Sequence, residues 1–231
     1  MKVLNLTLSK KGGTELVNFS VRRMVNAGYV GRDREAVRRH IEELRKEGVP
    51  VPEEVPTLYP VSSYLITTDE VLEVVDESTS GEAEFVLLLA DGKVYVGVGS
   101  DHTDRNLEAS SIIKAKQICP NVLSSVLWPY EEVKAVWDEL VLRSWVEKGG
   151  QRILYQETKL ASTMRAEDIL SFVRSKLRDG DLEGIVIYSG TVPALGGEII
   201  YGEGFEVELH NPRANDSLWC KYKVTLLDYL D

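Results

Sequence analysis

Apolar residues crowd the middle of the chain in two runs, 85–90 and 94–98, broken by Asp91-Gly92. Runs of this length around an Asp-Gly predict two strands joined by a tight hairpin, because that dipeptide tolerates the positive φ angles the turn needs. Nearer the start, Val3, Leu4, Leu6 and Leu8 interleave with polar residues and predict a first strand, followed by a Lys-Lys-Gly-Gly turn. Leu16, Val17, Val21, Met24 and Val25 fall at a helical spacing, predicting a short amphipathic helix over 14–27 that ends near Gly28. A second helix is predicted over 34–47, capped by Asp33 and stopped by Gly48, with a thin apolar stripe of Val37, Ile41 and Leu44. The proline-rich segment 50–60 excludes regular helix or central strand and reads as an extended connector.

Further strands are predicted at 63–67, 71–75, 151–156, 184–188, 205–209 and 221–227. Helical periods occur at 103–117, 128–143 and 165–177, with Trp128, Trp137 and Trp145 read as packing groups. The fold class is therefore mostly β with flanking helices, an α+β arrangement. Residues 1–60 carry a strand, two helices and the connector, residues 61–231 carry the body, and the whole is expected to form one structural unit.

Net charge changes the picture more than composition does. A chain of 231 residues with 43% hydrophobic positions can bury a sizeable core, but its formal charge of −10 repels phosphate backbones and anionic membranes. A helix-turn-helix over 14–47, with Arg22, Arg23, Arg32, Arg34, Arg38 and Arg39 on DNA, is disfavoured on that ground. No apolar run approaches a membrane span and the opening residues are too polar for a signal peptide, so a cytoplasmic protein is expected, with no nucleic-acid or membrane partner. Cys119 and Cys220 lie too far apart in sequence for a zinc knuckle and read as buried thiols.

Candidate chemistry gathers at the open end of the central hairpin. Glu82 and Glu84 are two apart on an extended backbone, so both carboxylates face one side, and the hairpin returns Asp101 beside them. Three convergent carboxylates repel one another unless a hard divalent cation lies between them. Spacing alone leaves open that these are solvated residues of a strand start and a turn. His40 and Glu43 lie three apart on one helical face, an arrangement that suits either a surface pair or a histidine oriented as a base.

Taken in order, several segments are similar to the fumarylacetoacetate hydrolase family, and more closely to a bacterial and archaeal branch of its superfamily known as a domain of unknown function. They are HxxE (40–43), a connector ending in Tyr59-Pro60, ExE (82–84), GSDHTDRNLE (99–108), a lysine ahead of Cys119-Pro120, YQE (155–157) and SGTVPALGGEIIYGEGFEVEL (189–209). The resemblance covers roughly residues 27–210. It implies a mixed β-roll core and an Mg²⁺ or Mn²⁺ ion, with Ca²⁺ able to take its place in a crystal, on Glu82, Glu84 and Asp101. Of two lysines, Lys114 and Lys116, it favours Lys116 at the substrate. Gly190 and Thr191 are implied to hold a substrate carboxylate, Tyr155, Gln156 and Arg105 to bind substrate with them, and His40 with Glu43 to activate water on a lid helix. The short interval between Glu84 and Asp101 leaves out a helix that the family usually carries there.

The activity so implied is metal-dependent hydrolysis of a carbon–carbon bond in a small 2-oxo or 1,3-dicarbonyl acid, by a homodimer. The homodimer is also expected because residues 122–145 carry more aromatic and apolar groups than a modest β core would fully bury. A decarboxylase, hydratase or isomerase using the same metal–enolate site is the alternative, and a non-catalytic small-molecule binding protein a further one.

Overall fold

The computed structural model describes residues 1–46, 51, 52 and 54–230, and within 34–46 it leaves out the side chains of His40, Glu43 and Leu44. The chain opens with β1 (Lys2–Lys10), β2 (Gly13–Val21) and β3 (Arg23–Gly28), followed by α1 (Arg34–Lys46) and β4 (Thr57–Val61). Next come β5 (Ile66–Thr67), β6 (Val71–Val74) and β7 (Thr79–Ser80), and then the hairpin of β8 (Ala83–Ala90) and β9 (Lys93–Asp101). Short elements follow it: β10 (Thr103–Asp104), α2 (Arg105–Glu108), α3 (Ile112–Ala115), β11 (Asn121–Leu123), β12 (Val126–Pro129) and α4 (Tyr130–Val133). The last part holds β13 (Val141–Lys148), β14 (Gln151–Lys159), α5 (Ala166–Lys176), β15 (Ile185–Tyr188), β16 (Gly204–Asn211) and β17 (Asp216–Leu226).

Among the described residues the strands make a ten-stranded sheet, a five-stranded sheet and the small pair β7–β10. The larger sheet runs β2-β1-β12-β9-β8-β15-β3-β4, and it curls because the chain leaving β4 forms β5, which pairs with β11 beside β9. The smaller sheet runs β14-β13-β16-β17-β6 and packs against the outside of the curl. Strand β8 is buried on both faces, which explains its continuous apolar run: Phe85 and Leu87 face the smaller sheet, whereas Val86 and Leu88 face the inside of the curl. Asp91 and Gly92 both adopt positive φ at the hairpin turn, as their sequence predicts.

Two predicted helices are not formed. Residues 14–27 make β2 and β3 instead, because Val17, Phe19 and Val21 alternate inward at a period of two and Leu16 is left in solvent. The helix-turn-helix reading ends there. The predicted helix over 128–143 resolves into the end of β12, α4, a 3₁₀ segment over Lys134–Glu139 and the start of β13. Trp145 consequently lies on the outer face of the smaller sheet, stacked on Trp219 beneath Arg152, and not in the core. The connector also contributes a strand, since 57–61 forms β4 at the sheet edge, where Pro60 costs no ladder bond toward solvent.

Helix α1 forms as predicted, with Asp33 Oδ1 accepting from the N–H groups of Glu35 and Ala36, while Gly48 lies outside the described residues. Trp128, Tyr130, Val133, Trp137, Leu140 and Leu142 are all buried in the chain's own core, so the apolar residues of 122–145 supply no ground of their own for expecting a second copy. No helix among the described residues is long and apolar enough to cross a membrane.

Leu142 is fully buried between the two sheets. Leu142→Ala is expected to lower the unfolding free energy by about 2–5 kcal/mol, through lost burial plus the cavity left behind, as measured by urea denaturation.

Candidate metal centre

Hairpin geometry brings Glu82, Glu84 and Asp101 together. Glu84 pairs with Gly99 across the two strands, so Asp101, two residues beyond Gly99, projects from the same face as Glu82 and Glu84. One carboxylate oxygen from each lies within 4.8 Å of the others, with Glu84 and Asp101 buried and Glu82 half-buried. Gly99 is required here by space, since a Cβ would lie 2.4 Å from the Val122 carbonyl oxygen.

The cations nearby are few and already engaged. The Lys116 ammonium, buried at the end of α3, donates to Asp101 Oδ2 and, at 3.3 Å, to Glu82 Oε2. Lys114 is exposed, so the structure brings Lys116 to the carboxylates. Arg105 Nη1 donates to Glu82 Oε1 at 3.0 Å and to Glu108 Oε2 at 2.7 Å, while its Nε donates to Ser80 Oγ. Arg105 is thus committed to holding Glu82 and α2.

Electrostatics follow from this arrangement. Burial would raise Glu82, but Lys116 and Arg105 outweigh it and hold the carboxyl at about 2. Glu84 is pushed well above the usual carboxylate range, by burial first and then by the charges of Asp101 and Glu82. Burial also raises Asp101, with Lys116 opposing. For Lys116 the sign is reversed: burial disfavours its charge, and the three carboxylates more than compensate. Negative charge therefore exceeds what the local cations neutralise. An all-oxygen donor set with surplus negative charge suits a hard divalent ion such as Mg²⁺, Mn²⁺ or Ca²⁺.

Gly190, Thr191 and Gln156 lie beside the hairpin, with Tyr155 next to them. Gly190, at φ +87°, turns its N–H onto Glu84 Oε2 at 2.6 Å, a conformation that a side chain would strain. Tyr155 has no partner on β13, because the pairing steps from Ser144↔Gln156 to Trp145↔Leu154. This bulge lets the consecutive residues Tyr155 and Gln156 both point inward. Gln156 Oε1 accepts from Ser144 Oγ and from the N–H of Ala83, and its Nε2 donates to Thr191 Oγ1 and the Val192 carbonyl. Its hydrogen-bonding capacity is filled by tying the 190–192 turn to the strand between Glu82 and Glu84. Thr191 is exposed, and its hydroxyl donates to the Ala83 carbonyl at 3.2 Å. The backbone at His40 and Glu43 is in α1, but both side chains lie outside the described residues.

Several groups at the site were not anticipated. On the opposite face of β9 and just past its end, Ser100 Oγ and His102 Nδ1 lie 2.8 and 2.9 Å from the Tyr222 hydroxyl, which fastens β9 to the smaller sheet. Ser100 Oγ also accepts from the Glu82 N–H. Burial, with Arg105 adding to it, lowers His102 to about 3, so it is neutral near pH 7. Asn121 Nδ2 faces Asp101 Oδ1 at 3.4 Å. Ser100, His102 and Asn121 lie within or beside the motif strands, but their pairing with Tyr222 and Asp101 depends on tertiary contacts that no local pattern announces. Elsewhere, a groove of about 650 Å³ between β4 and the end of α5 contains none of these residues, and its Lys176 is paired with Glu54.

A family model described as "Protein of unknown function (DUF2848)" matches residues 27–222. No curated protein matches the sequence. Among solved structures, Cg1458 with an inhibitor superposes with a TM-score of 0.63 at 19% identity, covering 93% of this chain and 81% of that one. A 2-keto-3-deoxy-D-arabinonate dehydratase complexed with magnesium and 2,5-dioxopentanoate gives 0.63 at 15% identity, over 94% and 78%. The 4-oxalocrotonate decarboxylase of Pseudomonas putida G7, complexed with calcium and acetate, gives 0.57 at 14% identity, over 87% and 76%. The fold is fumarylacetoacetate hydrolase-like. The sequence resemblance is thus met in the fold, and the family matched is not the fumarylacetoacetate hydrolase family itself.

Glu84→Gln is expected to weaken Mn²⁺ or Mg²⁺ binding by at least tenfold in calorimetry. Wild-type binding below the raised Glu84 pKa should also release a proton, read as an enthalpy that changes with the buffer's ionisation heat. Equal affinity in wild type and variant would remove Glu84 from the ligand set.

Proposed function

Since the chain belongs to the family described as "Protein of unknown function (DUF2848)", whose description states no activity, we propose from the site itself that it is a metal-dependent enzyme acting on a small 2-oxo or 1,3-dicarbonyl acid. The observation that carries this reading is the meeting of Glu82, Glu84 and Asp101 with the Lys116 ammonium at one buried point. Glu82, Glu84 and Asp101 would hold Mg²⁺ or Mn²⁺, which would supply Lewis acidity toward the carboxylate and keto oxygens of such an acid. Lys116 adds a fixed positive charge where an enolate oxygen gains charge, and burial makes that charge more effective than it would be in water. Gly190 and Thr191 form the turn beside Glu84 at which the family resemblance would put a substrate carboxylate.

Hydrolysis of a carbon–carbon bond is the finer reading. His40, oriented by Glu43, takes the proton of the water that attacks the carbonyl, and the departing carbon leaves as an enolate beside Lys116. This step rests on the spacing of the two residues in the sequence and on the family resemblance. A second reading, decarboxylation or dehydration, draws support from the solved neighbours named as a decarboxylase and a dehydratase. It needs the enolate apparatus without the water-activating pair.

A panel of acylpyruvates, oxaloacetate and related 2-oxo acids, assayed with Mg²⁺ and Mn²⁺, is expected to reveal turnover that chelation abolishes. His40→Ala should lower kcat for hydrolysis by about 10²- to 10⁴-fold with metal affinity nearly unchanged. Near-normal hydrolysis in that variant would defeat the hydrolytic mechanism. Decarboxylation or dehydration without hydrolysis in the wild type would favour the second reading, and no turnover of any such acid by the metal-loaded protein would defeat both.

A further inference from the structure

Asn26 stands in the middle of β3 with no exposed surface, and neither its amide nitrogen nor its amide oxygen has a hydrogen-bond partner among the described residues. Its strand neighbours Met24, Val25 and Ala27 are all apolar and buried, so an apolar side chain would serve packing better at this position. Buried polar groups in native folds are nearly always paired, and an exception calls for something that uses it.

Strand register shows where Asn26 points. It lies beside Tyr188 in the parallel pairing of β3 with β15, and Tyr188 lies beside Val86 on β8. Val86 and Glu84 are two apart on one strand, so Asn26 shares a face with Tyr188, Val86, Glu84 and, through Gly99, Asp101. This face is the inside of the curl. Because the sheet closes through β5 onto β11, β3 looks across the interior at β9 and β11, where Asn121 pairs with Asp101. Asn121 is also fully buried, and its Oδ1 has no partner. Asn26 thus faces the interior onto which Asp101 opens, and Asn121 Nδ2 reaches Asp101 Oδ1 there at 3.4 Å. Two buried amides with spare capacity thus converge on one member of the carboxylate trio.

We propose that Asn26 is a positioning residue of the cation site, its amide N–H steadying the Asp101 carboxylate and its carbonyl oxygen accepting from a water that the cation carries, with Asn121 acting likewise from the adjoining strand. The proposal rests on the reading of Glu82, Glu84 and Asp101 as cation ligands. Groups that orient metal-binding side chains commonly contribute ten- to a hundredfold in affinity. Asn26 is one residue outside the span matched by the family model, and it belongs to none of the motifs that carry the resemblance.

A functional amide and a structural one respond oppositely to Asn26→Leu, which keeps the branching and the number of side-chain heavy atoms and removes the polarity. If Asn26 serves the cation, Mn²⁺ affinity measured by calorimetry falls about 10- to 100-fold, while the chelated protein unfolds at the same or a higher temperature, relieved of an unpaired amide. Asn26→Ala, which adds no bulk, carries the same expected loss of affinity should the leucine variant fail to fold. Unchanged affinity in the folded variant, beside clear binding by the wild type, overturns this proposal and leaves the carboxylate site intact. A wild type that binds neither Mn²⁺ nor Mg²⁺ overturns the site reading and this proposal together.

Discussion

Three carboxylates held within 4.8 Å of one another at the end of a single hairpin impose the main constraint on this molecule. Coulomb repulsion strengthens as water is excluded, and the desolvation of each charge adds to it, so such a cluster persists only where the surroundings answer it. The response comes from several directions: an ammonium from α3, a guanidinium shared with Glu108, and a backbone N–H turned inward at Gly190. Glu84 shows what is left unanswered, its proton affinity raised by burial first and then by the charges of Asp101 and Glu82.

The same hairpin joins the two halves of the core. Phe85 and Leu87 belong to the layer between the sheets, and Val86 and Leu88 to the interior of the curl. Strand β9 repeats the division in polar form, with Asp101 facing the cluster while Ser100 and His102 reach back to Tyr222 on the smaller sheet. The three carboxylates are therefore backed by packed structure on the side away from the cluster, a support suited to holding like charges in place. Gln156 adds a second brace, since one amide grips the hairpin, β13 and the 190–192 turn together.

Features whose cause is local were legible in the sequence. The Asp91-Gly92 turn, the Glu82–Glu84 spacing and the return of Asp101 all follow from period-two geometry over a short interval, and the site lysine lay within two candidates. Where two periods competed, the reading went astray: Leu16, Val17 and Val21 fit a helix until Phe19 is counted, and the alternation then favours β2. Residues 128–143 misled because a short helix, a 3₁₀ turn and a strand start in succession imitate one helical stripe. Asn26 and the bulge at Tyr155 had no local signature, because their meaning depends on strands brought alongside from far away in the chain.

The hairpin that carries the carboxylates also limits how the chain can change in length. Glu82 and Glu84 reach one face with Asp101 only because the residues between them and the Asp91-Gly92 turn pair one to one, from Ala90↔Lys93 back to Ala83↔Ser100. Insertion of a single residue in either arm, unless absorbed as a bulge, would turn the carboxylates of that arm toward the smaller sheet and its apolar neighbours toward the cluster. Descendants of this sequence can vary the exposed 193–199 segment one residue at a time, but between 84 and 101 they must gain or lose residues in pairs or confine the change to the turn itself.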